Sequence, residues 1–118
     1  MNIHKPLVSL LTVALVTTLV MAACGGGGPR QHSFTLRVEN GKPEGGVKTF
    51  QVKQGDTVSF NIRSDTKGEV HLHGYDLEKE MVPGQTVTLS LTATATGRFK
   101  IEIEKVEVEL GFLEVQPR

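Results

Sequence analysis

The sequence predicts an all-β sandwich preceded by a cleaved export segment. Three observations predict it. Apolar residues recur at every second position in short runs after residue 33, and clusters of Gly, Pro, Asn and Asp separate those runs. An uncharged apolar stretch near the N-terminus leads to the chain's one cysteine. Alternation at period two gives a strand one buried and one wet face, whereas a helix packed on a core shows a period of 3.6.

In chain order, Lys5 precedes an uncharged run from Leu7 to Met21, whose only polar side chains are Ser9, Thr12, Thr17 and Thr18. A cationic start, an apolar middle and small residues before a cut are the layout of a secretory signal peptide. A retained spanning helix competes with it, because the run approaches the lower limit of roughly 17 residues for crossing a bilayer. The segment Val20-Met21-Ala22-Ala23-Cys24 favours cleavage. Small residues before the cysteine let a peptidase reach the backbone, and the thiol offers a site for a diacylglycerol. This segment resembles the lipobox of bacterial lipoproteins, with Met in place of the commoner Leu. Gly25 to Gly28 and Pro29 follow, and Gly-rich chain of this kind behaves as a flexible tether. The expected organisation is a signal peptide over 1–23, lipidated Cys24 and tether over 24–32, and a β-sandwich domain over 33–118. Such a chain is extracytoplasmic and held by acyl groups on the inner or outer membrane, each buried CH₂ contributing about 0.8 kcal/mol.

Charge and cysteine content narrow the function further. The chain has 13 basic and 13 acidic side chains, and Lys5 leaves with the signal, so the mature protein keeps 12 against 13. That balance excludes nucleic acid as an expected partner and provides no polybasic run for lipid headgroups. Lipidation would consume Cys24, the only cysteine, so the domain has neither a disulfide nor a thiolate for a metal.

The strands follow. Phe34, Leu36 and Val38 alternate with polar residues, and a Gly- and Pro-rich stretch from Asn40 to Gly46 closes that run. Phe50 and Val52 lead to a turn at Gly55-Asp56; Val58, Phe60 and Ile62 end at Ser64 to Gly68; Val70 and Leu72 begin a short run. After Pro83-Gly84 come Val87, Leu89 and Leu91, then Phe99, Ile101 and Ile103, and a last strand from Val106 to Val115 broken at Gly111. About seven strands at spacings of roughly 8–12 residues read as an antiparallel sandwich or barrel. The absence of tryptophan disfavours an immunoglobulin core. Alternating Lys and Glu from Arg98 to Glu109 suggest cross-strand pairing and protection of a sheet edge.

Four segments then resemble the cupredoxin family. They are Val52-Lys53-Gln54-Gly55-Asp56-Thr57-Val58-Ser59-Phe60-Asn61-Ile62, Glu69-Val70-His71-Leu72-His73-Gly74-Tyr75, Pro83-Gly84-Gln85-Thr86-Val87 and Thr96-Gly97-Arg98-Phe99-Lys100-Ile101. The resemblance covers residues 47–116 and implies a Greek-key β-sandwich. A blue-copper centre takes two His and one Cys with a weak axial ligand. On the family pattern His73, or His71 with a small shift, falls at the first histidine, Ile103 at the cysteine and Leu110 near the axial methionine. The second histidine has no counterpart among Lys105 to Glu109. Type 1 copper is therefore not expected: a cupredoxin-like fold does not bring its site with it.

His71 and His73 stand two apart on an expected strand, so both leave one face, with Glu69 on that face as well. In the cupredoxin arrangement Glu102 and Glu104 would come from a neighbouring strand. These five residues are candidate ligands for Cu(II) or Zn(II), since imidazole suits both ions. A second reading stays open, in which the pair is solvated or structural and Gly74 supplies a φ that other residues resist. His32 is expected to lie inert in the tether. Met81 is the only methionine left after processing, against the Met-rich pattern of Cu(I) carriers. There is no nucleophile-and-base constellation, phosphate loop or zinc-protease motif, so no enzyme is expected. The sequence points to a lipid-anchored binding or accessory module that presents its loops to an envelope protein, or to one that handles a divalent ion through His71 and His73. Mass spectrometry of the native protein should find an N-terminus at Cys24 carrying acyl mass; an intact Met1 or an unmodified Cys24 would overturn the export reading.

Overall fold

The computed structural model describes residues 27–118; the expected signal peptide and Cys24 lie outside them. Nine strands and no helix occupy this span: β1 (Gln31–Glu39), β2 (Lys42–Pro43), β3 (Lys48–Lys53), β4 (Thr57–Ser64), β5 (Gly68–Leu72), β6 (Leu77–Met81), β7 (Thr86–Thr92), β8 (Gly97–Glu104) and β9 (Val108–Gln116). They form a four-stranded sheet in the order β2-β1-β4-β7 and a five-stranded sheet in the order β3-β9-β8-β5-β6. The alternating residues face each other between these sheets. Phe60, Ile62, Val70, Leu72, Ile101, Ile103 and Leu113 are all fully buried, and each such apolar side chain contributes about 1.5–3 kcal/mol by leaving water.

The sandwich departs from expectation in five places, four of them within its sheets. Two strands are additional: β2 is only two residues long, and β6 reads Leu-Glu-Lys-Glu-Met, an edge strand with three consecutive exposed residues and no alternation to betray it. The sheets are mixed rather than antiparallel, because β1 runs parallel to β4 over Gln31↔Thr57 to Val38↔Ser64, and β3 runs parallel to β9. Period two is common to both pairings, so it does not distinguish them. The last strand is not broken at Gly111. The register against β8 shifts there between Ile101 and Glu102, placing extra residue Leu110 in the core. Gly111 is required by a close approach, since a Cβ would collide with the Lys48 carbonyl oxygen. Finally, β8 is central in its sheet, so its charges do not guard an edge. They do pair across strands: Arg98 faces Glu114 of β9 in register, at 3.6 Å.

The strand expected from residue 33 starts at Gln31, so His32 belongs to β1 and not to a tether. The reason is Asp56. Its carboxylate is buried in the turn that carries the chain from β3 to β4, and so from one sheet to the other. It accepts the backbone N–H groups of Arg30 (2.9 Å) and Lys53 (3.0 Å), a bond from His32 Nε2 (2.8 Å), and the Arg118 guanidinium. The backbone of the same turn donates from Gln54 to the Gln116 carbonyl and from Gly55 to that of Ala93. The starts of β1 and β4 and the ends of β3, β7 and β9 therefore meet at one carboxylate.

The Arg30 N–H, then the Lys53 N–H, His32 and Arg118, hold the Asp56 carboxyl well below its ordinary 3.8, against the opposing effect of burial. A carboxylate depressed on folding stabilises the native state fully above its unfolded pKa, and that stabilisation is lost as pH falls through the folded value. Asp56→Asn should lower the neutral-pH melting temperature by on the order of 10 °C. Thermal melts taken from pH 7 into acid should also show a shallower acid slope in the variant; parallel slopes would contradict this account.

Candidate metal-binding face

β5 and β8 pair antiparallel with Glu69 opposite Glu104 and His71 opposite Glu102, while the His73 N–H donates to the Lys100 carbonyl. Val70, Leu72, Ile101 and Ile103 turn inward and are fully buried. The intervening residues Glu69, His71, His73, Lys100, Glu102 and Glu104 therefore share the outer face of the five-stranded sheet. Gly74, in the turn after β5, has φ +80°, the conformation expected of it, and a side chain there would strike Phe99. That close approach lets Tyr75 pack edge-on to Phe99 at 4.9 Å, while its hydroxyl donates to the Ala95 carbonyl and accepts the Ala95 N–H. Burial raises the pKa of this phenol. The chain after His73 is thus fixed on both sides.

The imidazoles of His71 and His73 lie with centroids 4.5 Å apart and planes 33° from parallel. Each meets a carboxylate of β8. His71 Nδ1 is 2.7 Å from Glu104 Oε1, and His73 Nε2 is 2.6 Å from Glu102 Oε1. The second oxygen of Glu102 takes the Lys100 ammonium at 2.7 Å. The Lys100 bond is the main reason the Glu102 carboxyl sits below its ordinary value, with His73 adding to it and partial burial opposing. Glu102 in turn raises Lys100. Lys100, Glu102 and His73 form a chain of hydrogen bonds laid across the face.

Among the described residues, His71, His73 and Glu104 form the group whose potential ligand atoms all lie within 4.8 Å of one another. Two ligands at about 2.0–2.2 Å in tetrahedral array stand roughly 3.4 Å apart. Small rotations of three half-buried side chains would close the group on one ion. Glu102 supports His73 from the side in place of completing this trio, and Glu69 shares the face but stands outside the trio. Lys100 was not among the expected site residues, although its place two before Glu102 on one strand puts both on this face. The positions corresponding to the copper cysteine and axial methionine, Ile103 and Leu110, are fully buried in the apolar core. The trio lies on the outside of the sheet whose inside they line.

Backbone comparison places this architecture. A blue copper oxidase from Nitrosomonas europaea matches 75% of the chain with a TM-score of 0.60 at 19% identity, and the multicopper oxidase mgLAC matches 75% with a TM-score of 0.61 at 17% identity. The fold is cupredoxin-like. The matched span is 39% of the length of either oxidase chain. No protein-family model and no curated protein matches the sequence.

If Lys100 is the main group holding Glu102 ionised, Lys100→Met should move the Glu102 carboxyl titration up toward its ordinary 4.5. Carboxyl-carbon NMR across the acid range would show it, and an unmoved midpoint would assign the effect elsewhere.

Proposed function

We propose that the protein is an exported, lipid-anchored binding module, and that it holds a divalent transition ion, Cu(II) or Zn(II), on the outer face of its five-stranded sheet. The observation that carries this reading is the approach of His71, His73 and Glu104 within 4.8 Å, with His71 and Glu104 on two hydrogen-bonded strands and His73 one residue past the end of β5, its N–H held by the Lys100 carbonyl. Two imidazoles and a carboxylate are a donor set that both ions accept. Sheet residues hold their positions better than loop residues, which limits the ordering cost of binding. Glu102 takes the place commonly filled by a carboxylate behind a ligating imidazole, fixing the ring's orientation and tautomer. Lys100 anchors that carboxylate in turn.

The face is open and shallow, and the groove next to the trio is lined by Lys100, Glu102, Glu104, Lys105, Glu107 and Glu109. This arrangement suits retention or transfer of an ion better than chemistry on a bound substrate. The acidic lining favours approach of a cation. Anchoring through Cys24 would confine the module to a membrane surface outside the cytoplasm, where an envelope protein would be the partner that receives or supplies the ion.

Imidazole ligates as the neutral base, so ion and proton compete for His71 and His73, and affinity should fall as the pH is lowered. Calorimetric titration of Cu(II) and Zn(II) should saturate at about one ion per chain at neutral pH and more weakly in acid. Heat should vanish in the His71→Ala/His73→Ala double variant. Glu102→Gln should weaken affinity by about 10–100-fold. No heat in the wild type, or equal heat in the double variant, would refute the reading.

A further inference from the structure

Gly27 and Gly28, expected to belong to a flexible tether, are bonded to the domain. Arg118 donates from Nη1 to the carbonyls of Gly27 (2.6 Å) and Gly28 (3.1 Å), from Nε to that of Gln54 (2.9 Å), and from Nη2 to Asp56. The next residues join the sheet, with Thr57 N–H bonded to the Arg30 carbonyl. Three peptide steps separate Gly27 from Cys24 in the sequence. Even fully extended they reach only about 11 Å. An acylated Cys24 would therefore hold the Asp56 end of the sandwich within about one Debye length of the bilayer.

That end carries a cleft of about 360 Å³ lined by Gly27, Arg30, His32, Lys53, Asp56 and Arg118, together with residues of β3 and β9. Arg118 neutralises Asp56. Arg30 and Lys53 are exposed and form no ion pair among the described residues, the Arg30 guanidinium lying against Gly27. Glu114, the nearest acid along β9, is engaged by Arg98. With His32 neutral, the lining has a surplus of two positive charges, although the mature chain as a whole is nearly neutral. The sequence conceals this, because the three cations stand far apart at positions 30, 53 and 118.

We infer that this cleft is a seat for the headgroup of an anionic phospholipid, with Arg30 and Lys53 meeting the phosphate and Arg118 bracing the floor through Asp56. The inference rests on the lipid-anchoring reading for its biological setting, but the cleft's chemistry is testable without it. A bound headgroup would dock the domain on the membrane by its Asp56 end.

The test uses the full mature chain with Cys24→Ser, which removes the acyl anchor, and vesicles of phosphatidylcholine with or without phosphatidylglycerol. Sedimentation should show binding to the anionic vesicles alone, weakened by salt and reduced on the order of ten-fold in Arg30→Gln/Lys53→Gln. Neither substitution touches the Asp56 side-chain bonds, and an unchanged melting temperature would establish that the variant is folded. Equal partition to both vesicles, or undiminished binding by the folded variant, would overturn the inference. Displacement by the same concentration of inorganic phosphate would also overturn it, since the cleft would then be a general anion site. Absence of acyl mass on Cys24 in the native protein would instead defeat the anchoring reading and leave the vesicle result standing.

Discussion

A carboxylate buried where a chain crosses from one sheet to the other must have its charge met locally, or the crossing will not form. Asp56 is met by two backbone N–H groups, an imidazole and a guanidinium. These come from the chain before β1, the end of β3, β1 itself and the last residue of the sequence. The geometry of the turn and the pairing of the outer ends of the domain are thus one problem with one solution. Breaking a buried charge pair by removing one partner is far more costly than its net contribution suggests. The described residues contain no cysteine, so no disulfide shares this task among them.

The outer face of the five-stranded sheet depends on that closure at one remove. β9 is tied through Gln116 to the Asp56 turn, and β9 carries β8, which carries β5. His71 and His73 are therefore mounted three strands in from the parallel edge strand β3, on a sheet whose inner side is packed with fully buried Ile and Leu. The interior positions where the cupredoxin resemblance would put copper ligands are filled by hydrocarbon. The polar chemistry has a different location, on the reverse side of the same strands. A fold and its site are separable in the most literal sense here.

Much of this was legible beforehand because alternation survives in one dimension. Phe34, Leu36 and Val38, or Val58, Phe60 and Ile62, declare a buried face without any knowledge of the partner strand. The His71–His73 pair is legible for the same reason, and Glu102 and Glu104 became candidates through the family resemblance. What stayed hidden needed a second strand to define it. Parallel and antiparallel neighbours leave the same trace in a sequence. β6 has few apolar residues because it lies at an edge, so no apolar alternation delimits it. Gly111 read as a break, whereas the glycine is a concession to the passing Lys48 carbonyl. His32 looked inert beside a run of glycines because its partner is 24 residues away, and Lys100 gained a role only through the oxygen of Glu102 that His73 leaves free.

The parallel pairing of β1 with β4 has a mechanical consequence. The two strands share eight register pairs, from Gln31↔Thr57 to Val38↔Ser64, with the chain entering at the Gln31 end. A pull on the N-terminal segment is directed along β1, so it loads this ladder lengthwise. The hydrogen bonds then bear the force together, as in a lap joint, and do not peel one at a time. Before that ladder is stressed, the tension reaches Arg118 and its hold on Gly27 and Gly28. A domain hung from its N-terminus in this way would yield first at a reversible clasp and only much later in its core.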